Sequence, residues 1–310
     1  MFGRTDSRAP RRALLSTALA VTVALATLAC GTDDAPALTI GAGDSAQSGL
    51  LAEIYANALG RTGARTAVHR GLGARPGQLA ALDAGTVVAV ADVTGDLLTA
   101  LDSTSTANKP DDVVKALNAA LPEGLTVGDP ADGTDLRPVV VADTTRTEVY
   151  PSSLKELAPR CPELTVGIAT GPALDPMRAP LDPQRDVLAP LEAVYGCALA
   201  HPVTFPTAED ARKALSSGEI QLAVLSGPPS YLPGGGADLT ALADPAYAFP
   251  SAMVVPVIRK AALTSTQLRK LNYVAGELTT VDLADMLRRI RDNGAVPADL
   301  ARTWLDAHAL

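Results

Sequence analysis

Leu38-Thr39-Ile40-Gly41-Ala42-Gly43-Asp44-Ser45 joins a β-branched run to two glycines and two residues able to cap a helix. The following apolar residues Leu50, Leu51, Ile54, Tyr55, Ala58 and Leu59 recur on one helical face. The stretch therefore reads as strand, turn and helix, with Asp44 or Ser45 accepting from the free N–H groups of the first helical turn. Arg65 to His69 gives a second strand, Gln78 to Asp83 a short helix, and Thr86 to Asp92 a third strand. Strand-helix-strand-helix-strand order implies an α/β fold on a parallel sheet, with ligand-facing loops at the strand ends.

The same alternation continues. Candidate strands lie at Pro138 to Asp143, Leu164 to Ala169, Val203 to Phe205, Ile220 to Leu225 and Ala252 to Ile258. Helices are expected at Thr266 to Leu278, Val281 to Asp292 and Pro297 to Ala307, with Thr280 before the second, Gly294 after it and Pro297 opening the third. Gly227-Pro228-Pro229 and Pro233-Gly234-Gly235-Gly236 mark loops.

Upstream, Arg11 and Arg12 precede the apolar run Ala13 to Ala29, and Thr27-Leu28-Ala29-Cys30-Gly31 has the pattern of a lipoprotein cleavage site. Residues 1–29 read as a signal peptide and 30–36 as a polar tether behind a lipidated Cys30; the arginine pair leaves open whether export follows the general or the twin-arginine route. Seventeen residues rich in Ala and Thr are at the lower limit for a membrane span, so the membrane is expected to hold the chain only through the lipid. The mature chain of about 280 residues carries 22 Lys+Arg against 33 Asp+Glu and is long enough for two lobes. Such an acidic chain is not expected to bind nucleic acid. Outside the cytoplasm the remaining pair, Cys161 and Cys197, is expected to form a disulfide closing a loop of about 36 residues.

No constellation points to catalysis. His69, His201 and His308 have no His or Cys partner at metal-ligand spacing, and neither H-E-x-x-H nor C-x-x-C occurs. G-x-S-x-G is missing too; Leu225-Ser226-Gly227-Pro228 only approaches it. Gly41-Ala42-Gly43 and Gly71-Leu72-Gly73 lack both the third glycine of a dinucleotide fingerprint and the Gly-Lys-Ser/Thr ending of a P-loop. No metal, cofactor or enzymatic activity is expected. The turn after the first strand still suits a ligand group at the start of the first helix.

Several segments in collinear order over about 250 residues resemble the type II solute-binding proteins of ABC importers for glycine betaine, choline and related osmoprotectants. They are Leu38 to Gly41 with Ser45-Ala46-Gln47, Ala80 to Gly85, Asp92-Val93-Thr94-Gly95-Asp96, Leu191 to Gly196, Ala214 to Ile220, Phe249-Pro250 and Pro256 to Arg259. The resemblance implies two α/β lobes joined by two crossovers, closing over a ligand in the cleft. Carried onto this chain, lobe one is 37–142 plus 248–310 and lobe two 143–247, with crossovers at Ala142-Asp143-Thr144 and Ala246-Tyr247-Ala248. The ligand-binding candidates are Asp44, Ser45, Gln47, Asp92, Thr94, Gly95, Thr144, Thr145, Arg178, Arg185, Ser226 and Ser251. Gln47 and Thr94 lead this set, and either Arg178 or Arg185 would receive a carboxylate.

The family surrounds a quaternary ammonium with aromatic faces, because such a cation cannot donate a hydrogen bond. Here Val93 precedes Thr94, Ser251 follows Phe249-Pro250, and aromatic residues make up 3% of the chain. Glycine betaine and choline are therefore expected to bind no tighter than about millimolar, with Tyr231 or Tyr247 entering the cleft as the one means of compensation. The resemblance implies a monomeric, lipid-anchored extracytoplasmic protein that passes a small polar solute to a membrane permease. The alternative is a cell-envelope lipoprotein of the same fold that binds a protein or wall component.

Overall fold

A computed structural model describes residues 37–146 and 150–310. The segments read from the sequence as signal peptide and tether, with Cys30, lie outside the described residues. Two five-stranded sheets share one plan. The first holds β1 (Leu38–Gly41), β2 (Thr66–His69), β3 (Ala89–Val93), β4 (Leu125–Val127) and β10 (Val254–Arg259) in the order β2-β1-β3-β10-β4. The second holds β5 (Val139–Asp143), β6 (Thr165–Ala169), β7 (His201–Phe205), β8 (Leu222–Leu225) and β9 (Leu239–Ala241) in the order β7-β6-β8-β5-β9. In each sheet three strands run parallel, and a strand arriving from the other sheet, β10 or β5, inserts antiparallel to its neighbours. This is the two-lobed α/β architecture of type II periplasmic binding proteins. The three-residue edge strands β4 and β9 are additions to the expected set.

Helices α1 (Ala46–Gly60), α2 (Arg75–Asp83), α3 (Thr94–Leu101), α4 (Pro110–Ala120), α8 (Ser265–Glu277), α9 (Thr280–Asn293) and α10 (Pro297–Ala307) flank the first sheet; α5 (Leu154–Leu157), α6 (Ala189–Tyr195) and α7 (Ala208–Ser217) flank the second. Strand alternation divides the first lobe's core. Ala89, Ala91 and Val93 of β3 pack with Leu50, Ile54 and Leu59 of α1, while Val90 between them packs with Leu97 and Leu117 on the opposite face. Helix α1 is buried nearly all round, including Gln47 and Ser48, because the sheet and the C-terminal helices enclose it. Thr279 rather than Thr280 caps α9, accepting from the Asp282 N–H at 3.1 Å, and Gly294 ends that helix at φ 63°.

The chain passes between cores at Leu136 to Val140 and returns at Phe249 to Ala252: Leu136 and Ala252 pack in the first core, Val140 and Phe249 in the second. The crossover expected at Ala142-Asp143-Thr144 is therefore corrected, since β5 already pairs with β8 and β9. The return likewise comes just after Ala246-Tyr247-Ala248, for Ala248 still packs in the second core. The passages are tied together. The Leu136 N–H donates to the Ala252 carbonyl at 2.8 Å, and the Arg137 guanidinium bonds Asp244 at 3.2 Å while lying over the Tyr247 ring. Cys161 and Cys197 form the expected disulfide inside the second core.

Candidate functional site

Strand direction builds the site. The carboxyl ends of β3 and β8 point toward the crossings, and because β10 and β5 are antiparallel to them, their first residues meet those same ends, Val254 beside Val93 and Val139 beside Leu225. The loops leaving β3 and β8 thus face one another across an inter-lobe cleft.

Arg178, from the loop after β6, joins both lobes. Its Nε and Nη2 donate to the two oxygens of Asp96 at 2.5 and 3.0 Å, while Nη1 donates to the Ser226 carbonyl at 2.8 Å and to the Leu136 carbonyl. One guanidinium therefore touches α3 of lobe one, the first passage, and the loop after β8 of lobe two. Burial disfavours its charged form, but Asp96 together with Asp175 outweighs that and raises the pKa above the ordinary arginine range. Arg75 makes a second two-pronged pair with Asp92, at 2.7 and 2.8 Å, within lobe one.

Asp175 is buried, and its carboxylate accepts from the Ser45 hydroxyl and, at 3.2 Å, from the Met177 N–H. Burial raises its pKa, and these hydrogen bonds and Arg178 only partly oppose that. A neutral contact also spans the cleft: the Tyr231 hydroxyl donates to Gln47 Oε1 at 2.8 Å. Burial, then the charge of Asp175, pushes the Tyr231 pKa upward, so the phenol remains a donor. Between these groups is an enclosed space of about 20 Å³, enough for one water. A wider groove of about 420 Å³ lies beside it, with Arg75, Asp96 and Arg178 on its floor and Pro138, Pro180, Leu181 and Phe249 among its walls. It is large enough for a small solute.

The structure brings together only part of the candidate set. Gln47, Asp92 and Arg178 line the enclosed space, and Gly95 and Ser226 line the groove. Ser45 caps α1, accepting from the Ser48 N–H at 3.0 Å, and also holds Asp175. Thr94 is fully buried and committed to lobe one: its hydroxyl donates to the Ser251 carbonyl at 3.2 Å and accepts from the Met253 N–H at 3.0 Å. Ser251 is buried with it, its carbonyl 2.5 Å from where a side chain on Gly95 would begin. Asp44 points to solvent. Arg185 reaches only the groove's outer rim; its side chain is 70% exposed and pairs with Asp186.

Thr144 and Thr145 stand elsewhere, which corrects their place in the set. Antiparallel β5 carries its last residues to the amino-terminal end of β8, away from the cleft, and Thr145 bonds Asp143 there. Asp96 and Asp175 complete the site without having been candidates. Asp96 is two residues beyond Thr94, so its signal was the same strand end, whereas the irregular loop around Asp175 has no periodicity to place it. Among the described residues no group of three or more His, Cys, Asp or Glu is arranged to hold a metal ion, and no helix is long and apolar enough to cross a membrane.

The topology is that of two α/β lobes with a cleft between them. Residues 191–307 match the family model described as the substrate binding domain of ABC-type glycine betaine transport system, in line with the resemblance read from the sequence. Among solved structures, a glycine betaine/carnitine/choline ABC transporter superposes with a TM-score of 0.71 at 16% identity, covering 88% of this chain and 98% of that one. Apo YehZ from Escherichia coli gives 0.70 at 18% identity, covering 88% and 99%. At such identities the likeness is one of fold. No curated protein matches the chain by sequence.

Proposed function

We propose that this chain is the extracytoplasmic, lipid-anchored solute-binding protein of an ABC importer, acting as a monomer without covalent chemistry. The observation that carries the reading is the convergence of Arg178, Asp96, Gln47, Tyr231 and Ser226, drawn from both lobes, on one cleft. Lobe one would comprise about 37–136 plus 252–310 and lobe two about 137–249, following the two cores. Contacts made by a solute to both lobes would favour the closed form that docks on a permease. Val93 removes one aromatic face from the cleft wall, which supports weak binding of glycine betaine or choline, while Tyr231 beside Gln47 and Phe249 on the groove wall are the aromatic faces left to oppose it.

A thermal-shift screen of osmolytes, sugars, amino acids and peptides tests the reading, because a solute that binds only the native state raises its melting temperature. Cys30→Ala should release the protein from membranes or leave it unprocessed; unmodified Cys30 in membrane-bound mature protein would refute the anchor. The second reading, a cell-envelope lipoprotein binding a protein or wall component, draws on the enclosed space of only about 20 Å³ left between the charged pairs. Recovery of a permease in crosslinks from membranes favours transport, and an envelope protein or wall polymer in its place favours the alternative.

A further inference from the structure

We propose that lobe two carries its own occupant for the inner cleft: the turn Asp175 to Arg178, in the loop after β6, is a plug that holds the lobes closed without a solute and walls off Gln47 and Asp92 until it withdraws. The closure is a property of the chain alone, whereas the access it governs rests on the solute-binding reading. The plug is built locally and anchored in lobe two. Pro176 after Asp175 takes the second position of a β-turn, which closes with the Arg178 N–H donating to the Asp175 carbonyl at 3.0 Å, and the Asp175 carboxylate accepts from the Met177 N–H at 3.2 Å. At the base of the loop the Leu174 N–H donates to Ser226 Oγ at 2.9 Å, and Gly171 lies so close to Pro206 that a side chain there would begin 1.7 Å from its carbonyl oxygen.

The side chains of this turn dock on lobe one. Asp175 accepts from the Ser45 hydroxyl at the start of α1, the Met177 Cε lies 2.5 Å from where a side chain on Gly43 would begin, and Arg178 gives two hydrogen bonds to Asp96 in the first turn of α3. One turn of lobe two therefore grips the loops that leave β1 and β3, the ligand-facing loops of lobe one. Nε, Nη1 and Nη2 of Arg178 all have protein acceptors, so the closed arrangement is complete without a solute. What the plug leaves beside Gln47 and Asp92 is about 20 Å³, with Asp175, Met177 and Arg178 as its lobe-two wall, and that admits one water but no organic solute. Arg178 also borders the groove of about 420 Å³, so its withdrawal with Met177 opens the inner space toward that groove.

The inter-lobe distance in solute-free protein tests this. Ala100 and Arg185 are exposed and line the groove from opposite lobes, so nitroxides on Ala100→Cys and Arg185→Cys in the full-length Cys30→Ala chain, whose other cysteines form the disulfide, read closure. Pulsed electron resonance without solute should give one narrow distance for the otherwise native chain. Met177→Ala/Arg178→Ala should lengthen it by more than about 2 Å, and Arg178→Lys, which keeps the charge, should lengthen it less. Circular dichroism confirms folding, and Asp96→Asn supplies the same readout if the double variant does not fold. Access is read on a separate Cys30→Ala/Gln47→Cys chain, where a trimethylammonium methanethiosulfonate should react at least about 10-fold faster once the plug is truncated or, in its place, Asp96→Asn is introduced. A solute-free native chain already at the long distance, variants at the native distance, or equal reaction rates would overturn the plug and leave the solute-binding reading intact. The expected distances and rates, with no melting shift from any solute of the thermal-shift screen on native or plug-truncated protein, would overturn the solute-binding reading and leave the closure standing.

Discussion

Replacing Arg178 by Met keeps most of the side chain's volume and removes the one charged group that joins α3, the first passage and the loop after β8. Four hydrogen bonds disappear, two of them to the Asp96 carboxylate. A hydrogen bond to a charged group contributes about 1.5–3 kcal/mol, and breaking a fully buried ion pair by removing one partner costs about 3–5 kcal/mol. The Arg178 side chain is 11% exposed but that of Asp96 is 23% exposed, so water can partly rehydrate the stranded carboxylate. The expected cost falls to about 2–4 kcal/mol. For a folded unit of this size that lowers Tm by roughly 4–8 °C. Asp96→Asn keeps an acceptor and should cost less, about 1–2 kcal/mol. Urea unfolding of both single variants and the double variant closes a thermodynamic cycle, in which paired side chains should show a coupling of about 1–2 kcal/mol. Because the bond spans two lobes with separate cores, solution scattering should also report a larger radius of gyration for Arg178→Met. Free energies additive to within about 0.5 kcal/mol, with unchanged scattering, would refute the argument that this pair holds the lobes together.

Three further outcomes follow from particular contacts. Reduction of Cys161–Cys197, or the double change to Ser, should cost about 3–4 kcal/mol in the chain-entropy model, measured by denaturant unfolding with and without reductant. Asp175 has a folded-state pKa raised by burial, so its contribution to stability is complete below the ordinary carboxylate range and is lost as pH rises through the raised value. Asp175→Asn should therefore melt above the wild type at neutral pH, and the gap should close on acidification; a constant gap would point to a packing effect. Gly171→Ala would place a methyl 1.7 Å from the Pro206 carbonyl oxygen, so the backbone must shift, and Tm should fall by several degrees.

What could be read from the sequence was what neighbours in the chain decide. The strand before α1 and its Ser45 cap, the parallel trio β1 to β3 and the disulfide all follow from local pattern, redox compartment and length. Strand direction does not, because a β-branched run reads the same whichever way it enters a sheet. Thr144 and Thr145 follow a strand whose sequence fits either direction, and its antiparallel pairing puts them at the end of the sheet away from the cleft. Choosing between Arg178 and Arg185 had no local answer either. Each has an Asp nearby in sequence, yet the decisive partner of Arg178 is Asp96, 82 residues away, whereas Arg185 takes its immediate neighbour Asp186 and stays in solvent.

The same distinction separates Thr94, one of the two leading candidates, whose hydroxyl is committed to lobe one, from its neighbour Asp96 on the groove. A hydroxyl at a strand end can bond backbone across the sheet, and Thr94 does so with Ser251 and Met253. A carboxylate can only accept, and Asp96, in the first turn of α3 where the helix start favours its negative charge, accepts from the Arg178 guanidinium. It therefore projects toward whatever cation the opposite lobe supplies, which is Arg178.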